Sequence, residues 1–202
     1  VSVDATKLVI PGHGTIFTAP ANTKPPTSAL TAFSLTADTV ANNETTPVNW
    51  ANLGHTSKQN TIAFTKDGGD RETLDTFLAD SVRVTTASTQ WGFTANALQF
   101  DADTLDLAFN GDFDEGTGGY TVATPAPVSM AVFLFFQDVT AKLGFWIPNV
   151  EITLGDAPSV DAANFFELPL SGAIQTVANT VIPAVDGRAG LFQIFKDGLT
   201  AS

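Results

Sequence analysis

Apolar and polar residues alternate with a period of two through much of the chain beyond residue 60. From Asn60 to Thr65, Ile62 and Phe64 fall on one side and Ala63 and Thr65 on the other. Asp67-Gly68-Gly69-Asp70 then supplies a tight turn, and a second alternating run from Arg71 to Leu78 completes an expected β-hairpin. Thr89 to Leu98 continues as a strand around Trp91 and Phe93. The period then lengthens: in Asp101 to Phe109, Leu105, Ala108 and Phe109 share one helical face, with Asp101 or Asp103 placed to cap the N-terminus and offset the helix dipole.

Residues 111–119, GDFDEGTGG, read as a flexible acidic loop. Ser129 to Phe136 reads as a buried strand, Leu143 to Leu154 as a longer one closed by Gly155-Asp156-Ala157-Pro158, and Pro148 inside it calls for a sheet edge or a bulge. Asn164 to Gln175 is strand-like, Thr180 to Arg188 is a loop, and Leu191 to Phe195 forms a last short strand. The twelve residues from Leu143 to Leu154 reach about 40 Å at ~3.3 Å each. A domain of this size has a radius of gyration of about 16–17 Å, so such a strand suits a sheet that continues across subunits.

Composition supports the β reading. Thr, Val and Phe are abundant, and eleven Pro and sixteen Gly punctuate the 202 residues. The first thirty residues read as an irregular arm: a turn at Pro11 to Gly14, a short extended piece at Thr15 to Thr18, then a Pro- and Thr-rich stretch from Pro20 to Pro26. An arm at 1–30 and one β-sandwich domain at 31–202 is the expected organisation, with no appended immunoglobulin-like domain. The start of the chain has neither the cationic region nor the apolar run of a secretory leader. The apolar stretch from Ala131 to Phe136 is far below the ~20 residues that cross a bilayer.

Charge narrows the partners. Nine Lys and Arg against 21 Asp and Glu give a formal charge of -12, and no basic residue lies between Val84 and Ala141. Such a surface repels nucleic acid rather than holding it. With no cysteine, disulfides, thiolate nucleophiles and Cys-based metal sites are excluded together.

Candidate chemistry centres on NWANLGHTS, residues 49–57. His55 as a base with Thr56 or Ser57 as nucleophile is the catalytic reading, but the three are consecutive and no G-x-S-x-G turn exists. The structural reading has Trp50 and Leu53 anchoring a turn while His55, Thr56 and Ser57 bond backbone groups. His13 and His55 lack metal-site spacing, and Asp112 to Gly116 offers at most an incidental calcium site, with Gly116 where a ligand is needed. Neither Gly68-Gly69 nor Gly118-Gly119 is followed by the Lys-Ser/Thr of a phosphate loop. No cofactor is expected. The aromatics Phe133, Phe135, Phe136, Phe145, Trp146, Phe165 and Phe166 fit core or interface better than a ligand platform.

Gly14-x-x-Phe-Thr-Ala-Pro20, then Trp50-Ala-Asn-Leu-Gly-His-Thr-Ser57, then Asp67-Gly-Gly-Asp70 opening a strand come in an order that resembles the major tail tube proteins of long-tailed, non-contractile phages of actinobacteria. Leu98-Gln-Phe-Asp101 before a helix, Phe145-Trp-Ile-Pro148 with Val150 to Leu154, and Phe166-Glu-Leu-Pro-Leu170 extend the likeness nearly end to end. The resemblance implies a mainly β fold: a sandwich with one flanking α-helix and an extended N-terminal arm, its inner sheet joining a barrel across subunits. It implies hexameric rings stacked into a hollow tube in the virion tail, assembled in the host cytoplasm, with the arm and a long loop bridging rings. Expected partners are other copies, the tape measure, tail tip and terminator proteins, and double-stranded DNA in transit; no catalytic activity is implied.

On this reading the acidic candidates for the lumen are Asp70, Glu72, Asp75, Glu151 and Glu167, while Asp101 to Asp106 lie on an outer helix. The candidate assembly contacts are Phe17, Trp50, His55, Asp112, Asp114 and Glu115. The competing reading is a monomeric β-sandwich that binds carbohydrate or a host surface through Trp50, Trp91 or Trp146.

Overall fold

The computed structural model describes residues 8–124, 126–139 and 141–199. The elements in chain order are β1 (His13–Pro20), α1 (Ala29–Ala32), β2 (Thr39–Ala41), β3 (Asn49–Asn52), β4 (Ala63–Gly68), β5 (Arg71–Thr76), β6 (Ala79–Thr86), β7 (Thr89–Ala97), α2 (Ala102–Phe109), β8 (Asp112–Asp114), β9 (Gly119–Thr121), β10 (Val128–Gln137), β11 (Lys142–Leu154), β12 (Leu168–Ile174) and β13 (Gln193–Lys196). The main sheet runs β2-β3-β1-β10-β11-β12-β7-β4, with β13 also paired to β11. Every ladder in it is antiparallel.

The sheet folds into a sandwich because β11 serves two partners. Residues 143–146 pair with β13 and residues 150–154 with β12. Between them the register with β10 slips, Met130 facing Val150 but Val132 facing Ile147, so the extra residue on β11 falls at Pro148 and Asn149. Pro148 thus stands at a bulge, where its missing N–H breaks no ladder bond. In a flat sheet β4 would lie about 14 Å from β11, three strand spacings away. The Phe64 and Phe145 rings instead approach to 5.0 Å, which requires the β12-β7-β4 wing to curl over the first half of β11.

Alternation along the central strands gives each face its own core. Ile16, Val132, Leu134, Ile147 and Val150 point inward to the curled wing, where Phe93, Ala95, Leu168 and Leu170 meet them and α2 adds Leu107 and Ala108. Phe17, Phe133, Phe135 and Trp146 point to the opposite face and pack with Phe33, Trp50, Val177 and Ile182. Phe33 stacks on Phe133 at 4.1 Å and takes Trp50 edge-on at 5.8 Å. Burying a large apolar side chain contributes about 1.5–3 kcal/mol, so this aromatic cluster is a principal source of stability in a chain without disulfides.

Four expectations are corrected. Residues 13–20, placed in an arm, form β1, a central strand joined to β10 along its whole length; the Pro-rich stretch after it masked a run of five buried positions, Thr15 to Ala19. Residues 1–7 of the arm lie outside the described residues. The turn at Asp67 to Asp70 does not pair β4 with β5. Gly68 and Gly69, at φ +74° and +80°, kink a single ribbon: Gly68 faces Thr89, Asp70 accepts from the Ala87 N–H, and Arg71 faces Thr86 in unbroken register. The true turn is at Phe77-Leu78.

The α2 helix is capped as expected, Asp101 accepting from the Thr104 N–H at 2.9 Å, but its buried stripe is Thr104, Leu107 and Ala108. Leu105 and Phe109 flank that stripe because the helix lies about one residue, ~100°, round from the apolar maximum. Residues 111–119, expected as a loop, are the start of the β8–β9 hairpin. Its turn is built by Asp114, which accepts from the Gly116 N–H and the Thr117 hydroxyl, each at 2.8 Å.

Candidate assembly surfaces

One face of the β10-β11-β12-β7-β4 wing is open. Ser129, Glu151, Ala173, Gly92 and Thr65 form one cross-strand row on it, and Thr153, Ser171, Thr94 and Ala63 form the next. The opposite side of the same strands is the buried core, as the strict alternation of β12 shows. Asn96 and Asp67 extend the open face by parity, and Asn96 brings Glu167 onto it with a 2.7 Å hydrogen bond. The side chains here are small and polar, with three carboxylates and no Lys or Arg among the named positions.

Glu167 is held more firmly than a surface acid. Its Oε1 accepts from the Ser57 hydroxyl, and its Oε2 accepts from the side-chain amides of Asn60 and Asn96, all at 2.7 Å. The Ser57 hydroxyl foremost, with the two amides, holds this carboxyl below the usual glutamate range against a smaller opposing push from burial. The Ser57 proton therefore points to Glu167, and His55 engages its neighbours through its backbone: its N–H donates to Gln99 Oε1 and its carbonyl accepts from Leu98. Base, nucleophile and orienter are not assembled in NWANLGHTS. Instead β3 carries Trp50 into the core, Thr56 bridges to Ala97, and Ser57 ties the segment to β12.

The outer half of the kinked ribbon, β5–β6, stands free. Every residue of β5 is exposed and only Thr85 of β6 is partly covered. Leu74, Val82 and Val84 face solvent, and Phe77 and Leu78 at the tip are fully exposed. An isolated two-stranded hairpin is marginal in water, and the fully exposed Phe77 and Leu78 at its tip mark it as an interaction surface.

A third surface lies between α2 and the lower end of β1 and β3. It is a groove of about 460 Å³ with Ala19, Leu53, Leu107, Val128 and Met130 in its floor and Asp101, Asp103 and Asp106 on its rim. Behind the rim, Tyr120 donates to Asp106 at 2.6 Å and accepts from the Gly111 N–H at 2.7 Å, pinning β9 to the helix. Burial first, and then the Asp106 carboxylate, push the Tyr120 phenol above its ordinary pKa. Among the described residues no three acidic or histidine side chains gather as a metal site, and Asp114 is engaged by its own turn. The Thr117 hydroxyl, ahead of the Gly116 N–H, lowers its pKa.

The candidate residues divide accordingly. Glu151 and Glu167 share the open face; Asp70, Glu72 and Asp75 lie on the free ribbon, where Asp75 accepts from the Ser81 N–H. Phe17 and Trp50, expected as contacts to a neighbour, are wholly buried in their own subunit, because β1 and β3 are interior strands rather than an arm and its connector. His55, Asp112, Asp114 and Glu115 are exposed. Of the three tryptophans expected to contact sugar in the competing reading, Trp50 and Trp146 are buried, and Trp91 packs edge-on against Phe192 at 5.9 Å. The small residues of the open face, Thr65, Thr94, Thr153 and Ser171, carry no chemistry that singles them out in sequence; only strand registration brings them together.

A family model described as "Phage tail tube protein" matches residues 1–184. The chain belongs to this family. Among curated proteins none matches it. The tail tube family is structural and its place is the virion tail, where a subunit associates with its own copies and with other tail proteins. A mainly β sandwich with an open polar face and a projecting ribbon is consistent with that role. No described helix is long and apolar enough to span a membrane.

Proposed function

We propose that copies of this chain close into hexameric rings, that the rings stack into the tail tube of a long-tailed, non-contractile phage, and that the open face of the β10-β11-β12-β7-β4 wing lines the bore through which double-stranded DNA passes. The observation that carries this reading is the open face itself: five adjacent strands, small polar side chains, carboxylates and no cation among its named positions. β4 ends the sheet order, and an unpaired strand edge is the natural place for the next subunit to continue the ladder.

The charge suits a conduit. A ring roughly 40 Å tall surrounds about 24 phosphates of duplex DNA. Cations on the wall would release counterions and hold the duplex, whereas Glu151, Asp67 and a hydrogen-bonded, ionised Glu167 among uncharged hydroxyls leave it free to slide. Asp70, Glu72 and Asp75 add negative charge on the ribbon, which bridges to a neighbouring ring through Phe77 and Leu78. His55, Asp112, Asp114 and Glu115 belong to the outer assembly surface, with the tape measure, tail tip and terminator proteins as further tail partners. Negative-stain microscopy of the purified protein tests the proposal: rings or tubes are the expected result, and a preparation that stays monodisperse and monomeric at high concentration contradicts it.

A further inference from the structure

We infer that Asn110-Gly111 is a modification site, an asparaginyl step that deamidates without an enzyme and that the Tyr120 hydroxyl holds closed. It is the one Asn-Gly step in the chain. The fold calls for both residues. Asn110 ends α2 at φ 48° and ψ 51°, its N–H donating to the Asp106 carbonyl at 2.8 Å, and after glycine, asparagine is among the residues that best tolerate this left-handed cap. A Cβ on residue 111 would lie 2.2 Å from the Thr121 carbonyl oxygen and 2.6 Å from the Tyr120 ring, so only glycine lets β9 approach this closely. The chain leaving the helix therefore carries the least hindered pair for attack of a backbone nitrogen on an asparagine side chain.

The reaction needs only water. The Gly111 nitrogen gives its proton to solvent base and bonds to Asn110 Cγ, the side-chain nitrogen leaves as ammonia, and water opens the cyclic imide to aspartate or isoaspartate. Asn110 is exposed at the edge of the α2 groove, so water reaches both steps. The nucleophile, however, is occupied. The Gly111 N–H donates to the Tyr120 oxygen at 2.7 Å, while Tyr120 donates its own proton to Asp106 at 2.6 Å, which fixes a lone pair toward Gly111. Ring closure must break that bond and turn the Gly111 nitrogen out of the left-handed cap. Conversion places a new carboxylate at the negative, C-terminal end of α2, near Asp106 and Asp112, and isoaspartate adds a backbone carbon to the cap. Both loosen β8–β9 from the helix.

The intact protein, folded and in urea, is incubated beside Tyr120→Phe in mildly alkaline buffer, and peptide mapping by mass spectrometry follows conversion of amide to acid at position 110. The folded parent is expected to convert more slowly than the unfolded chain. Tyr120→Phe is expected to convert about fivefold faster than the folded parent, the factor that loss of one hydrogen bond allows, with Asn164, whose side chain donates to Asp161, unchanged. Equal rates for the folded and unfolded parent, a reading that needs no variant to fold, overturn the inference. So does a Tyr120→Phe rate equal to the parent's, or one raised equally at Asn164, which would mark general loosening. The converted fraction, separated by its added charge, should exchange the amides of Gly119–Thr121 faster than the parent; unchanged exchange overturns the loosening of β8–β9.

Discussion

The Ser57 hydroxyl donates to Glu167 Oε1 across 2.7 Å, joining residues 110 positions apart in sequence. With Asn60 and Asn96 on the second oxygen, the ionised carboxylate fastens the segment after β3 to the ends of β7 and β12. Because these donors lower the folded-state pKa of Glu167, their stabilisation is present above the ordinary glutamate pKa and is lost as pH falls through the lower folded value. Glu167→Gln should cost on the order of 1 kcal/mol near neutrality, with the deficit shrinking towards acid pH. Urea denaturation across a pH series checks this; a deficit that stays constant with pH would show that the charge of Glu167 is not what the three donors hold.

Trp50 is an interior residue, and its loss is an interior effect. Its ring lies against Phe33 and Phe133 with no exposed surface, and its Nε1–H donates to the Lys24 carbonyl at 3.3 Å. Trp50→Ala should destabilise the subunit by about 3–5 kcal/mol, whereas Lys58→Ala, at an exposed position, should stay within about 0.5 kcal/mol. Comparison of denaturant midpoints separates the two. Similar midpoints would contradict the interior role and return Trp50 to the surface of a neighbour.

The ribbon tip should behave oppositely. Phe77 and Leu78 bury nothing in the free subunit, so Phe77→Ser with Leu78→Ser should leave the unfolding midpoint unchanged while reducing polymer formation at least tenfold, measured by sedimentation. Normal polymerisation of the double variant would remove the ribbon from the assembly contacts.

Tyr120 tests whether β8–β9 is a fixed part of the outer surface. Tyr120→Phe removes the bonds to Asp106 and Gly111 and should cost about 1 kcal/mol locally, read as faster hydrogen exchange at the Gly111 amide. The raised phenol pKa means that this contribution is complete below the ordinary tyrosine value and is lost as pH rises through the folded one. The accelerated exchange at the Gly111 amide should therefore separate variant from parent at neutral pH, where the phenol is protonated and both bonds are made. Identical exchange at neutral pH would count against the pin.

Length and apolarity made the long strands legible: Ser129 to Phe136 and Leu143 to Leu154 reappear as β10 and β11 with ends shifted by only a residue or two, because burial on both faces leaves a near-continuous apolar run. Asp101 was legible as a cap for an equally local reason. Partnering was not. Asp67-Gly68-Gly69-Asp70 has the composition of a hairpin turn, yet two left-handed glycines can kink a ribbon as readily as close one, and only the register with Thr86 and Thr89 distinguishes the cases. His13 to Pro20 was hidden by its Pro-rich sequel, since nothing local reveals that a short Thr-Ile-Phe-Thr run lies mid-sheet. The acids on the open face were half legible: Glu151 follows from alternation along β11, while the hydrogen bonds that hold Glu167 come from Ser57, Asn60 and Asn96 on other elements.

An electron cryo-microscopy reconstruction of the assembled protein tests the central claim most directly, by showing which side chains line the bore. The account predicts a continuous β-wall in which Ser129, Glu151, Thr153, Ser171, Thr94 and Thr65 face the lumen and no Lys or Arg does. A bore lined by the α2 face, or by Lys142, Arg188 or Lys196, would contradict it.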